Sequence, residues 1–231
     1  MALTRKDGKM SFKTYLMNSQ IWGGILWITN ALNLHNHYKM SRGNSIVSKG
    51  ARIQGISVSI KGINNKITIG NNSILRKCEI NIFGNNNIIE IGEKCRINGG
   101  KFWIEDDGGT IQIGKFTTVQ GNTQFAAIEG TTIYIGQDCM FSSDISLRTG
   151  DSHSILNRVG ERINPSADIH IGDHVWIGAD VAILKGVSLP SNSIVGMRSL
   201  VNKSFASNNI IIAGSPAKIV KNEVNWDRMR L

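Results

Sequence analysis

One histidine stands apart in this chain of 231 residues. His153 lies in RTGDSHSILNRVGERINPSADIH, a polar and irregular stretch between two regularly patterned regions. Imidazole has an ordinary pKa close to neutral, so it can take a proton from a hydroxyl and return it. Asp144 and Asp151 stand near it in sequence; either can orient the ring, and the sequence does not choose. Arg148, Glu161 and Arg162 add charge that suits a polar partner, and Arg148, Asp151 and Arg162 are the candidates for holding it. His170 and His174 flank Ile171 and Gly172, where structural or partner-lining roles are expected. His35 and His37 are two ligand types with no third, so no metal is expected. Trp176 occupies an outward position between Val175 and Ile177, and an exposed indole there needs a reason, a contact with another subunit being one.

These side chains are positioned by a repeat. From Ile171 an aliphatic residue returns every six positions: Ile171, Ile177, Ile183, Leu189, Val195 and Val201. Gly172, Gly178 and Gly196 follow three of them. Period six fits neither a helix of 3.6 residues per turn nor an alternating strand. It fits a coil of short flat β faces joined by tight corners, stacked because one unit alone cannot bury its apolar side. Upstream the register is longer: Ile67-Thr-Ile-Gly70, Ile89-Glu-Ile-Gly92, Ile111-Gln-Ile-Gly114 and Ile133-Tyr-Ile-Gly136 recur every 22 residues. Three six-residue faces make 18, so 22 implies one coil plus a four-residue corner. Ser73, Cys95, Thr117, Cys139 and Val175 fill a recurring small slot, which makes the cysteines core residues. The Gly-Asn clusters before most copies read as turns needing positive φ, since none runs into a helix with Lys-Ser/Thr. Between Gly136 and Ile171 the spacing breaks, and an excursion of about fifteen residues carries His153 out of the stack.

Composition bounds the partners. A net charge of +9 suggests an anionic one: nucleic acid, membrane surface, acidic polymer or phosphorylated cofactor. Three cysteines without paired spacing, and no signal peptide, lead us to expect reduced thiols in the cytoplasm. Residues 1–44 differ from the rest. Tyr15, Leu16, Ile21, Trp22, Ile25, Leu26, Ile28, Ala31 and Leu32 recur with roughly helical period. Ser19, Gln20, Thr29 and Asn30 interrupt them, and the apolar run stays below the ~18 residues of a spanning helix. Basic flanks (Arg5, Lys6, Lys9, Lys13, Lys39, Arg42) surround this N-terminal helical segment. It is expected to pack on the main domain or on a neighbouring subunit. The alternative is a peripheral membrane foot through residues 1–45, with Trp22 and Trp27, which would place the protein at the inner face of the membrane. The organisation expected is therefore 1–44 helical and basic, 45–221 a β-helix with an extruded loop at 148–166, and 222–231 a tail.

The period-six Ile-Gly units, the one-histidine loop, Asp173-His-Val-Trp-Ile-Gly178 and the ending Ala213-Gly-Ser-Pro-Ala-Lys218 resemble the hexapeptide-repeat acyltransferases over roughly residues 45–221. Gly160-Glu-Arg-Ile-Asn164 with the Trp-Ile-Gly repeat resembles, within that family, the capsular and lipopolysaccharide sugar O-acetyltransferases, including those of sialic acid polymers. The fold implied is an all-β repeat: a left-handed parallel β-helix of hexapeptide repeats, here with the N-terminal helical segment and a short C-terminal helix. A homotrimer with active sites between adjacent prisms is implied as well. The activity implied is acetyl-CoA-dependent O-acetylation of a sugar hydroxyl in a bacterial surface polysaccharide, such as a sialic-acid-containing capsule. The acceptor is then an anionic or neutral glycan. His153 matches the family's catalytic base, and Trp176 matches the tryptophan lining the acetyl and pantetheine channel. Ala179 and Met197 match positions that touch pantetheine, mainly through backbone. Asn202 stands where the family often has threonine. Ser215 and Pro216 match the adenine pocket, and Lys218 and Lys221 match contacts to the cofactor's 3′-phosphate, though lysine lacks the arginine fork. No metal is implied.

Three other readings are weaker. A carbonic-anhydrase-like relative needs three histidine zinc ligands, a pattern that His153, His170 and His174 do not supply. A different acceptor, an amino sugar nucleotide taken at nitrogen or a small molecule, shares the donor half of the site. Nucleic-acid binding lacks aromatics interleaved among the basic residues, so no nucleic-acid partner is expected.

Overall fold

The structure, a computed structural model, describes residues 35–48 and 50–229. The chain winds through three parallel sheets that form the faces of a triangular prism. Face A stacks His37–Met40 (β1), Ser57–Lys61 (β4), Glu79–Phe83 (β7), Lys101–Glu105 (β10), Gln124–Ile128 (β13), Ser146–Arg148 (β16), Ala182–Ile183 (β19) and Leu200–Val201 (β22). Face B stacks Ser45–Val47 (β2), Lys66–Ile69 (β5), Ile88–Ile91 (β8), Thr110–Ile113 (β11), Thr132–Ile135 (β14), Ile169–Ile171 (β17) and Ser188–Leu189 (β20). Face C stacks Arg52–Gln54 (β3), Ile74–Arg76 (β6), Arg96–Asn98 (β9), Thr118–Val119 (β12), Met140–Phe141 (β15), Trp176–Ile177 (β18), Ile194–Val195 (β21) and Ile211–Gly214 (β23), and ends on Ala217–Lys221 (β24). The ladder already includes His37–Met40, upstream of the first repeat legible in sequence.

The repeat residues do what the spacing predicts. Ile67, Ile89, Ile111, Ile133 and Ile169 form one inward row with no exposed surface. Each such side chain contributes about 1.5–3 kcal/mol when fully buried. Phe102, Phe125 and Phe141 stack inside, with ring centroids 5.1 and 6.0 Å apart. The small slot is also a polar ladder. The Ser73 hydroxyl donates to the Gly92 carbonyl at 2.7 Å and accepts from the Cys95 amide at 3.0 Å. Burial pushes the Cys95 thiol up to about 11 and the Cys139 thiol to about 12, so both stay protonated. They donate to the carbonyls of Gly114 and Gly172 at 3.2 and 3.3 Å.

The four extra residues of each long coil sit at the A–B edge, at 62–65, 84–87 and 106–109. Gly84 has φ +139°, and a Cβ there would lie 2.1 Å from the Asp106 carbonyl oxygen of the next coil. Only glycine lets the backbones approach so closely. Buried asparagines hold these corners together. Asn65 Oδ1 accepts the Asn87 amide at 2.9 Å, and Asn87 Oδ1 accepts the Gly109 amide at 2.7 Å.

The expected short C-terminal helix is not formed. Residues 211–221 make an antiparallel hairpin, β23 with β24, closing face C, and no helix occurs among the described residues. Ile211 pairs in parallel with Ile194, so the sheet edge remained open to one more strand and took it. Of the helical segment expected over residues 1–44 and the membrane foot over 1–45, residues 1–34 lie outside the described residues. From residue 35 the chain is not helical but already carries strand β1, whose backbone pairs with β4.

Candidate active site

The excursion leaves the stack at the A–B edge, between β16 and β17, where shorter coils have their four-residue corner. It is a built loop. Ile163 N–H donates to the Ile155 carbonyl at 2.9 Å, and Asn157 N–H to the Glu161 carbonyl at 2.9 Å, making a hairpin of 155–163. Asn164, only 7% exposed, is its hub. Its Nδ2 donates to Asp151 Oδ2 and to the His153 carbonyl, both at 2.8 Å, and its Oδ1 accepts from the Ile155 amide at 2.7 Å. The edge residues of the coils above and below pin the loop. Lys185 Nζ reaches Asp151 Oδ2 at 2.5 Å and the Asn164 carbonyl at 3.1 Å. Arg162 meets Glu129 at 2.7 Å. The Lys185 ammonium, with Asn164, holds the Asp151 carboxyl below the usual range. Arg162 and Ser166 bring the Glu129 carboxyl down to about 2, and Glu129 raises the Arg162 guanidinium in return.

Of the residues expected to hold an acceptor, Asp151 and Arg162 are thus engaged in fixing the loop. Arg148 remains exposed beside it, with Ser152 Oγ at 3.3 Å. Among the described residues, neither carboxylate candidate bonds the His153 ring. Asp151 faces Lys185 and Asn164, and Asp144 accepts from Asn122 at 3.2 Å on another edge. The His153 side chain is exposed.

The other candidates gather on and around face C. Trp176, 38% exposed, stands in the outward row between Met140 and Ile194. Ala179 and Met197 follow it at the C–A edge, in coils one register step apart: Ile177 pairs with Val195. A Cβ on Gly178 would lie 2.7 Å from the Met197 amide nitrogen, so glycine permits the tight corner there. Asn202 is exposed after β22 on the far side of face A, away from this cluster. Ser215 and Pro216, joined by a cis peptide bond, form the tip of the closing hairpin. Lys218 and Lys221 are exposed on β24.

The sequence reading missed how the tail joins this face. Trp226 is 7% exposed and lies parallel to the His174 ring, 4.1 Å between centroids. Its Nε1 donates to the His174 carbonyl at 2.9 Å, while His174 Nδ1 meets Asp138 Oδ2 at 2.8 Å. Arg228 binds Asp138 Oδ1, Thr118 Oγ1 and the Cys139 carbonyl at 3.1, 2.8 and 2.9 Å. The tail therefore walls one side of Trp176, whose ring centroid is 6.2 Å from that of Trp226. Nothing in the spacing marks this, because the partners lie 52 and 90 residues apart.

In a triangular prism the A–B edge is opposite face C. His153 and Trp176 therefore stand on opposite sides of one chain, and no single copy brings them together.

No family model matches the chain. Two curated proteins named polysialic acid O-acetyltransferase align with parts of it. The Escherichia coli O1:K1 protein is 37% identical over 92 residues, which is 39% of this chain and 30% of that protein. The Neisseria meningitidis protein is 39% identical over 93 residues, 40% and 43% of the two. These alignments span less than half of either relative. A crystal structure of a polysialic acid O-acetyltransferase superposes with TM-score 0.80 and 36% identity, covering 85% of this chain and 92% of that one. The chain belongs to the hexapeptide-repeat acyltransferase family. Another structure, of an acetyltransferase specific for polysialic acid, superposes with TM-score 0.56 and 26% identity over 82% of this chain and 91% of its own. The solenoid is thus the left-handed parallel β-helix of that family, and its departures from plain period six are the corners, the His153 loop and the closing hairpin.

Proposed function

We propose that this protein is an acetyl-CoA-dependent O-acetyltransferase acting on a sugar hydroxyl of an acidic surface polysaccharide, of the sialic-acid-polymer kind. The observation that carries this is the separation of a rigidly held histidine loop from an exposed tryptophan on the opposite face. Each is half of a site, and a neighbouring copy supplies the other half. In a homotrimer the His153 loop on the A–B edge of one prism meets the Trp176 end of face C of the next. The exposed apolar hairpin supports such packing: Ile155, Leu156 and Ile163 are more than half exposed, and Val159 is 78% exposed.

His153 then accepts the proton of the acceptor hydroxyl as its oxygen attacks the thioester carbonyl. The C–S bond breaks, and the proton passes to the departing thiolate, giving the sugar acetate and free CoA thiol. Trp176 and the backbone at Ala179 and Met197 line the channel for the pantetheine arm. Lys218 and Lys221 are exposed and have no carboxylate within ion-pair distance among the described residues, so they are available to phosphate. Release of free thiol, followed with sialylated, neutral and amino-sugar acceptors, tests the assignment. His153→Ala should lower turnover by roughly two orders of magnitude or more, the scale of a general base. Full turnover in that variant, after subtracting donor hydrolysis, would refute the role.

A further inference from the structure

Face C is cationic on both sides of Trp176. Toward the C-terminus stand Lys218 and Lys221 on β24. Toward the N-terminus one outward row runs Trp176, Met140, Thr118, Arg96, Ile74, Arg52, each paired with the next. Arg76 stands in the adjoining outward row, between Gln54 and Asn98. Lys94 joins them at the B–C edge, its ammonium 5.2 Å from the Phe116 ring centroid. No strand of face C contains aspartate or glutamate, whereas face A has Glu79 and Glu105 and face B has Glu90. Arg52, Arg76 and Arg96 are exposed, and none is in an ion pair among the described residues. Arg76 Nε meets only the neutral Gln54 Oε1, at 3.2 Å. Three carboxylates stand on the B–C edge: Asp138 is held by His174 and Arg228, Asp173 accepts from the Gln137 amide and side chain at 2.9 and 3.3 Å, and Glu93 stands beside Lys94.

Such a face disfavours a neutral surface role. Aligned cations without counter-charges repel one another, and an anion laid along them relieves that repulsion. With the donor lying on the C-terminal side of Trp176, as read above, the acceptor reaches Trp176 from the N-terminal side. We propose that Arg96, Arg76, Arg52 and Lys94 form a binding track for a long acidic glycan, whose reacting residue lies at Trp176 while its carboxylates follow face C. The proposal rests on that donor placement. Coils stack at about 4.8 Å, so Arg96 lies roughly 14 Å from Trp176 and Arg52 roughly 24 Å. A single sugar at Trp176 does not reach these arginines. A polymer does, and guanidinium forks suit its carboxylates.

The test is direct binding, without donor, of an α2,8-linked sialic acid polymer to the full chain, measured by calorimetry at low and moderate salt. The double variant Arg76→Glu/Arg96→Glu should weaken Kd by roughly tenfold or more, and added salt should weaken the unaltered protein similarly. Lys66→Glu/Lys101→Glu, on faces B and A, makes the same change in net charge and should move Kd less than about twofold if local rather than total charge binds. Equal losses in the two double variants, or no loss in the first, overturn the track. Failure of the unaltered protein to bind the polymer at low salt overturns it too. Since no turnover is involved, these outcomes are separate from the His153→Ala result, which judges the catalytic reading.

Discussion

At the residue scale, the ion pairs around His153 make a pH prediction. Glu129 has an ordinary carboxyl value of 4.5 and is held at about 2 by Arg162 and Ser166. A depressed carboxylate stabilises the folded arrangement above its unfolded pKa and loses that contribution as pH falls through its folded one. Asp151, lowered by Lys185 and Asn164, acts in the same direction. The loop should therefore stay docked above about pH 4.5 and loosen between there and about pH 2. Both groups are solvent-exposed, so the change is local and small, with the solenoid intact. Amide exchange of residues 151–166 across that range checks it. Glu129→Gln should remove much of the pH dependence, and an unchanged profile would show that the pair does not hold the loop.

At the element scale, the A–B corners depend on buried asparagine side chains rather than on strand pairing. Asn65 donates to the Gly84 carbonyl and accepts the Asn87 amide, both at 2.9 Å, with 1% exposure. Asn65→Ala leaves both backbone groups without a partner in the interior, a loss of about 1–3 kcal/mol for each unsatisfied group. A thermal melt should record a clear drop in midpoint, while Asn64→Ala, on the exposed side of the same turn, should lose far less. Equal effects would mean that the turn conformation, not the buried ladder, holds the corner. The tail clamp works by similar logic: one buried indole and one guanidinium hold a segment with no regular pairing of its own against face C.

For the whole molecule, the consequence is shared active sites. If the A–B edge of one copy completes face C of the next, His153→Ala and Trp176→Ala proteins should each be severely impaired. Mixed by co-refolding, they should regain activity, since some interfaces pair an intact histidine with an intact tryptophan. Random assembly gives such a pair at about a quarter of the interfaces of a cyclic homo-oligomer. No recovery from subunits shown to have exchanged would place both residues in sites within one chain, against the geometry of the prism.

Much of this was legible in the chain itself. Period six and the 22-residue register determined the coil, its inward rows and its corners, because a residue's place in a solenoid follows from its position within the repeat. The break before Ile171 marked the loop, and His153 was singled out by lying within it. What local pattern cannot express is partnership between distant segments. Trp226 with His174, Arg228 with Asp138 and Arg162 with Glu129 each join residues more than thirty positions apart. The hairpin at 211–221 was decided in the same way, by an open sheet edge needing backbone partners rather than by its own residues. Only the tertiary structure showed that Asp151 and Arg162 hold the loop, and that the loop stands across the prism from Trp176. A repeat specifies how each coil sits on the next, but the opposition of edge and face exists only once the coils have closed.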